Sequence, residues 1–263
     1  SELPLQSGDT RSSSGSDERA PPSGITRPPS TPPLLLWTLP ANPVGRASER
    51  SRLLEELEQD YKVEPVHIGK GAQFAPDYLK KSPNGKVPAI EDRSETQPKY
   101  IFESGAILFY LAEKHNKFLG EKITDKIEVM QWLMFQMGNL GPLLGQAHHF
   151  RFYAKEKIEY AIQRYTREAS KLYSVLDQQL SKNQYVAGNA YSIADMAIYP
   201  WLRPYKMQGQ NIADHQNLQR WYALVRSRPA VQRGLSVMNS TVKRSKKKPD
   251  GEAWENLFAK NKL

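Results

Sequence analysis

Residues 82–115 constrain the fold of this chain more than any other stretch. They combine an apolar run that contains a proline, a short β-prone run at 100–102 and an apolar helix that starts abruptly. Proline cannot donate to a sheet ladder, so Pro88 belongs at the first residue of a strand or at a sheet edge. A cis peptide between Val87 and Pro88 would turn the chain sharply and leave the Val87 N–H and C=O unpaired. An edge of that kind accepts an extended peptide through main-chain hydrogen bonds.

The start of the apolar helix adds polar groups beside this edge. Glu103 and Ser104 separate the β-prone run from the helix, which puts Ser104 at a helix N-terminus. Free N–H groups and the positive end of the helix dipole attract a carboxylate there, and the Ser104 hydroxyl can add a donor. The Glu103 carboxylate is a partner for an amine. We therefore predict a socket for an amino-acid ligand, although a Val-Pro turn or a serine cap alone is an ordinary feature.

Further motifs follow in a fixed order: GKGAQF (69–74), SPNGKVPAI (82–90), FESGAILFYLAEK (102–114), LGPLLGQAHHF (140–150), YAIQRY (160–165) and YSIADMAIYPW (191–201). With these motifs the chain resembles a glutathione transferase over residues 34 to 235, in particular the bacterial nu-class and fungal nitrogen-regulator branch. The resemblance implies an α/β plus all-α fold. A thioredoxin-like βαβαββα domain would occupy 34–118 and an all-helical domain 122–236. Residues 1–33, rich in Ser, Pro, Gly and Arg, are expected to be a disordered extension, and 237–263 a basic tail.

The resemblance also implies the residues that hold glutathione. The candidates are Gln73, Lys86, Val87, Pro88, Glu103, Ser104 and Arg164. Lys86 would meet the glycyl carboxylate, and Arg164 would reach the ligand from the helical domain, because a guanidinium grips a carboxylate in a bidentate manner. For Gln73, Lys86 and Arg164 the alternative is an ordinary surface side chain.

The loop after the first strand departs from the family. The resembled branch reads Thr-Pro-Asn-Gly there, with its Thr and Asn near the sulfur, whereas this chain reads PANPVGR at 40–46. Thr38 and Asn42 are the nearest polar substitutes and are our candidate catalytic residues. Free thiols titrate near ~8.5, so a donor is needed to raise the thiolate fraction at neutral pH. Without it glutathione would still bind, which leaves a non-enzymatic regulator or scaffold as the alternative function.

The 263 residues contain no cysteine. The absence of cysteine excludes disulfides, thiolate zinc sites and protein thiol nucleophiles, so sulfur chemistry must use a thiol that a ligand brings. The resemblance implies glutathione as co-substrate, with its thiolate attacking a disulfide, a peroxide or another electrophile, and disulfide reduction stronger than conjugation. His148 and His149 are not expected to bind a metal, because adjacent side chains on a helix point apart. With Tyr153 they are expected to wall the cleft beside the sulfur.

The pattern of the second half is helical. An apolar period of 3.6 residues from Thr124 predicts a long helix that breaks between 138 and 142, and a second long helix over 156–181. Ser192 and Asp195 form a capping-box pattern, so Asp195 is interpreted as structural rather than as a general base.

Charge and hydropathy limit which kinds of partner and which cellular location we expect. No apolar run approaches the ~18 residues that a membrane span needs, and no charged leader precedes an apolar core. The resemblance implies a homodimer, and we expect a cytoplasmic location. The net charge of +9 lies partly in the tail, where seven basic and three acidic residues follow position 242. No basic stripe interleaved with aromatic residues stands out elsewhere, so the tail is interpreted as a solvated end and nucleic-acid binding is not favoured.

Overall fold

The computed structural model describes residues 34–38, 48–240 and 248–259, without the side chains of 48–51 and 237–240. The predicted extension at 1–33, the loop at 40–46 with Asn42, and most of the basic tail lie outside the described residues.

The first half is a four-stranded mixed sheet with the strand order β2-β1-β3-β4. The strands are β1 Leu34–Thr38, β2 Tyr61–Pro65, β3 Ala89–Asp92 and β4 Lys99–Phe102. β1 pairs with β2 in parallel and with β3 antiparallel, and β3 pairs with β4 antiparallel. The apolar run of β1 is buried along Leu34, Leu35 and Leu36, as a central strand covered on both faces requires.

Three helices complete the thioredoxin-like half: α1 Ser48–Glu56, α2 Pro76–Leu79 and α3 Ser104–His115. The motif GKGAQF forms two short 3-10 turns, Ile68–Lys70 and Ala72–Phe74. Strand, helix and strand therefore alternate in the predicted βαβαββα order.

The second half is helical. Its helices are α4 Ile123–Phe135, α5 Gly141–His148, α6 Glu159–Leu180, α7 Ile193–Leu202, α8 Gln216–Ser227 and α9 Pro229–Ser240. The predicted break between 138 and 142 is wrong, because a π-helical turn over Gln136–Leu140 joins α4 to α5. Pro142 lies in the first turn of α5, and the N–H of the preceding Gly141 donates to the Gln136 carbonyl.

Asp195 caps α7 from inside the core. Its carboxylate accepts hydrogen bonds from the Val186 N–H at 3.0 Å, from the Ser192 N–H and hydroxyl at 3.0 and 3.1 Å, and from Trp221 Nε1 at 2.7 Å. Burial raises the pKa of Asp195 to about 6, and these hydrogen bonds oppose the rise. The structural interpretation of Asp195 agrees with this geometry.

The two halves meet where α1 packs on α9. The Arg228 guanidinium donates to both Glu56 carboxylate oxygens, at 2.6 and 2.9 Å. Gly234 lies so close to α1 that a Cβ there would be 2.8 Å from Arg52 Cγ and 3.0 Å from the Arg52 backbone nitrogen. A glycine is therefore needed at this crossing.

After α9, residues 251–259 form a last helical segment, α10 Gly251–Trp254 continued by a π-helical turn over Glu255–Ala259. We call this segment the C-terminal strap. Within it Asn256 is only 2% exposed. The interpretation of the tail as a solvated end is therefore wrong for this segment, which uses its apolar and amide side chains to pack on the rest of the protein.

Candidate glutathione site

The strand register brings the predicted site residues to one end of the sheet. Ala89 pairs with Phe102, so the same register continued places Val87 and Pro88 beside Glu103 and Ser104. Trp37 pairs with Ala89, which puts Thr38 beside Pro88. The end of β1, the segment before β3 and the start of α3 thus converge at this end of the sheet.

The Val87–Pro88 peptide is cis. Val87 is partly buried, and no backbone hydrogen bond within the described part of the chain involves its N–H or C=O. The preceding turn is held by the Lys86 carbonyl, which accepts from the Tyr78 hydroxyl at 2.9 Å and from the Ser82 hydroxyl at 2.7 Å. The edge at Val87 therefore stays available for an extended ligand, while the exposed Lys86 side chain extends from a fixed backbone.

α3 starts at Ser104, directly after a residue with unusual backbone geometry. Glu103 has φ 63° and ψ 127°, a conformation that costs roughly 1–3 kcal/mol for a residue with a side chain and clusters at functional sites. Its side chain is exposed and makes no capping bond to the described residues. The Ser104 hydroxyl donates a hydrogen bond of 3.4 Å to Met137 Sδ in the helical half. The first N–H groups of α3 and the Ser104 hydroxyl are thus not used by a side-chain cap.

The GKGAQF loop contributes a buried amide. Gln73 is 5% exposed, and its Nε2 donates to the Asn256 carbonyl of the C-terminal strap at 3.3 Å. Asn256 Nδ2 donates to the Gly69 carbonyl at 3.0 Å. Gln73 Oε1 and Asn256 Oδ1 are buried and accept no hydrogen bond from any described residue. Because an unsatisfied buried acceptor costs roughly 1–3 kcal/mol, this pair favours a ligand that carries N–H donors.

Aromatic side chains cluster around the residues of the helical half that were predicted to wall the cleft. His148 stacks on Tyr153 with ring centroids 5.0 Å apart, and Phe258 of the C-terminal strap lies 4.9 Å from His149 and 5.3 Å from Tyr153. Burial lowers the pKa of His149. The residues predicted to wall the cleft therefore lie together, and the strap adds an aromatic side chain that the sequence reasoning missed. Its signal was the pair of apolar patches at 253–254 and 257–258 within a charged tail.

Two further predicted residues differ in their exposure. Thr38 is fully buried at the end of β1, and its Oγ1 has no hydrogen-bond partner among the described residues. Arg164 is exposed on α6, and no hydrogen bond or ion pair between described residues joins it to the sheet end. Asn42 lies outside the described residues. The roles of all three remain predictions.

Within 34–38, 48–240 and 248–259 no three His, Asp or Glu side chains are arranged to hold a metal ion. No helix in the same ranges is long and apolar enough to cross a membrane.

Comparison with known proteins identifies the family. Residues 33–113 match the glutathione S-transferase N-terminal domain, and residues 133–229 match its C-terminal domain. The disulfide-bond oxidoreductase YfcG of Escherichia coli is 43% identical over 196 residues, which are 73% of this chain and 91% of that protein. The disulfide-bond oxidoreductase YghU of the same organism is 39% identical over 234 residues, or 82% of this chain and 80% of that protein.

A solved structure agrees with these relatives. The crystal structure of a glutathione transferase from Pseudomonas putida, with one glutathione disulfide bound per subunit, superposes with a TM-score of 0.72 and 37% identity, covering 78% of this chain and 91% of that one. The resemblance predicted from the sequence is confirmed, and this chain belongs to the glutathione S-transferase family.

Proposed function

We propose that this protein is a glutathione-dependent disulfide-bond oxidoreductase of the glutathione transferase type. The observation that carries the proposal is the meeting of the Val87 edge with the start of α3 at Ser104, neither of which is paired or capped by a described residue, in a chain without cysteine. The names of the relatives YfcG and YghU support disulfide chemistry, and the bound glutathione disulfide of the Pseudomonas putida protein supports glutathione as co-substrate.

The socket fits the parts of a γ-glutamyl peptide. The Val87 N–H and C=O pair with the peptide backbone, as in strand addition. The Ser104 hydroxyl and the first N–H groups of α3 bind the γ-glutamyl carboxylate, and the Glu103 carboxylate binds the ammonium group. Gln73, buried in the adjacent loop, faces the ligand with its free carbonyl oxygen. Lys86 is proposed to contact the glycyl end of the ligand, and Arg164 is proposed to contact the outer face of the ligand.

The reaction needs two glutathione thiols. A glutathione thiolate attacks one sulfur of the substrate disulfide, forms a mixed disulfide, and expels the other sulfur as a thiolate that takes up a proton. A second glutathione thiolate then attacks the glutathione sulfur of the mixed disulfide, which releases the second substrate thiol and glutathione disulfide. The protein itself is neither oxidised nor reduced, which agrees with its lack of cysteine.

Thr38 is the candidate for activating the thiol. Its hydroxyl lies at the site end of β1 and has no partner within the described residues, which supports a role as donor to the sulfur. One charge-assisted hydrogen bond contributes ~1.5–3 kcal/mol, which corresponds to roughly ten- to a hundredfold in thiol ionisation. Asn42, in the loop that follows β1, is the second candidate.

The alternative is a non-enzymatic glutathione-binding regulator or scaffold. Two observations favour it: the loop at 40–46 departs from the Thr-Pro-Asn-Gly pattern, and the Thr38 side chain is completely buried. Calorimetry with reduced and oxidised glutathione, followed by turnover of 2-hydroxyethyl disulfide and of a chlorodinitrobenzene electrophile, separates the two functions. Disulfide turnover above conjugation supports the oxidoreductase; binding without either turnover supports the scaffold; no binding overturns both.

A homodimer is part of the proposal. Large exposed apolar side chains concentrate on β4, α3 and α4: Tyr100, Phe102, Phe109, Ile123, Ile127 and Met134. Such a patch marks an interaction surface, and a two-fold pair of identical patches is self-complementary. We expect Ile127→Glu to convert a dimer into a monomer by light scattering, with Ile158→Glu, an exposed isoleucine outside this patch, as the control. A wild-type monomer would contradict the proposal.

The domain boundaries 34–118 and 122–236, with the flanking segments 1–33 and 237–263, are likewise proposed. A cytoplasmic location is proposed because that compartment keeps glutathione reduced.

A further inference from the structure

We infer that the C-terminal strap is a wall of the glutathione site and limits the size of the group carried by the substrate sulfur. Trp254 and Phe258 are the specificity-determining residues, and Asn256 holds the strap in place. The inference rests on the proposed function, because it concerns the second substrate of that same site.

The strap is fixed to the thioredoxin-like half by hydrogen bonds of the Asn256 side chain and of the Asn256 backbone carbonyl. Its side chain donates to the Gly69 carbonyl at 3.0 Å, and its own carbonyl accepts from Gln73 Nε2 at 3.3 Å. Gly71 between them has φ 76°, and a Cβ there would be 3.4 Å from Asn256 Oδ1. The loop thus has a glycine where the asparagine lies against its backbone.

The strap is fixed to the helical half by different contacts. Trp254 Nε1 donates to the Tyr153 carbonyl at 3.2 Å. The Lys155 ammonium lies 3.9 Å from the centre of the Trp254 ring and forms an ion pair with Glu255 at 3.1 Å. Phe258 adds its ring contacts with His149 and Tyr153. The strap therefore bridges the two halves of the protein.

This bridge lies next to the peptide edge. A Cβ on Gly85, two residues before Val87, would lie 3.3 Å from the backbone carbonyl oxygen of Gln73. The loop at 69–74, on which the strap packs, therefore lies against the turn that leads into the site. On the other side the strap contacts His149 and Tyr153, which are expected beside the sulfur. A bulky group on that sulfur that leaves the cleft between 69–73 and 149–153 would meet Trp254 and Phe258.

Two buried oxygens indicate that the strap also faces a ligand. Gln73 Oε1 and Asn256 Oδ1 are buried acceptors without a partner in the described part of the chain. A peptide amide or an ammonium group, both present in a γ-glutamyl peptide, supplies the matching N–H donors. The strap is therefore placed to take part in binding rather than only to cover the surface.

The test is a binding comparison that needs no turnover. Calorimetry would measure the affinity for S-methylglutathione and for a thioether conjugate of glutathione with a hydrophilic peptide. For Trp254→Ala, and for a chain that ends at Pro249, we expect the ratio of conjugate affinity to S-methylglutathione affinity to rise roughly tenfold, as for the removal of a steric barrier in a substrate pocket. Glu252→Ala, which changes an exposed residue of the same strap, should leave the ratio unchanged.

The outcomes separate this inference from the proposed function. A wild-type protein that binds neither ligand overturns the proposed function and the inference with it. Binding with a ratio that is the same in wild type, Trp254→Ala and the truncated chain overturns the inference alone. Trp254→Ala keeps the rest of the strap, so it decides the question if the truncated chain fails to fold.

Discussion

The Asp195 centre at the start of α7 and the proposed glutathione site at the end of the sheet both contain buried polar side chains, yet they differ in how those polar atoms are paired. Asp195 is fully buried, and its carboxylate accepts from Val186, Ser192 and Trp221. In the proposed glutathione site, Gln73 and Asn256 each bury an amide oxygen that has no partner among the described residues.

The difference distinguishes a structural polar cluster from a binding one. A buried network with all its hydrogen bonds made stabilises the fold, and removing one member exposes the desolvation cost of the others. Unpaired buried acceptors and a residue held at positive φ destabilise the protein without its ligand, and they persist at functional sites. Changes at the Asp195 centre should therefore lower stability, whereas changes at the site should lower binding.

The largest effect is expected for Asp195→Ala. The change leaves the Val186 N–H, the Ser192 N–H and the Trp221 indole N–H buried without an acceptor, so the free energy of unfolding should fall by ~3–5 kcal/mol. Urea unfolding followed by tryptophan fluorescence measures it. The glutathione affinity of the folded protein should not change. A loss of stability below about 1 kcal/mol would show that the centre is not the structural element described here.

Ser104→Ala should have the opposite profile. Loss of a hydroxyl donor to the γ-glutamyl carboxylate should weaken glutathione binding by ~1–3 kcal/mol, with little change in the free energy of unfolding. Calorimetry and urea unfolding of the same preparation measure both. Ser170→Ala, an exposed serine on α6, is the matched control and should change neither quantity. Equal affinities for the two variants would remove Ser104 from the site.

Glu103→Gly tests the strained residue itself. Glycine adopts positive φ without a steric penalty, so the free energy of unfolding should rise by about 1 kcal/mol while glutathione binding weakens through loss of the ammonium partner. Glu58 is a glutamate with φ 53° just after α1, which makes Glu58→Gly a matched control. That variant should gain similar stability and keep its affinity. If both variants bind glutathione equally well, Glu103 has no role in binding.

The smallest effect is expected for Asp92, a buried carboxylate. Burial raises its pKa, but hydrogen bonds from the partly exposed Lys114, from Ser94 and from Tyr110 outweigh burial and lower the pKa. A lowered pKa in the folded state stabilises the protein above the unfolded-state value near ~3.9, and this contribution disappears as the pH falls through the folded-state pKa. Asp92→Asn should therefore cost about 0.5–1 kcal/mol at neutral pH. This difference should shrink as urea unfolding is repeated toward pH ~3; a constant difference would contradict the assignment.

The sequence predicted the parts of the site that depend on neighbouring residues. Pro88 and Ser104 are recognisable because a proline before a strand and a serine before an apolar helix have fixed backbone meanings. Asp195 was recognisable through its capping box. The fold followed from the order of these motifs and from the resemblance they carry.

The C-terminal strap was missed because its contacts join residues far apart in the chain. Gln73 and Asn256 are 183 positions apart, and no local pattern encodes that pairing. The turn at 136–140 was interpreted as a break because Gly138 and Pro142 commonly end helices, whereas tertiary packing keeps the segment helical.

The contact of α1 with α9 has a consequence for building chimeras of this protein with its relatives. Gly234 leaves room for the Arg52 backbone, and the Arg228 guanidinium forms a bidentate pair with the Glu56 carboxylate. The two surfaces are therefore complementary. A hybrid that takes its amino-terminal half from one parent and its carboxyl-terminal half from another inherits mismatched surfaces at this seam. Exchanging residues 52–56 together with 228–234 as one cassette is the crossover that keeps the seam intact.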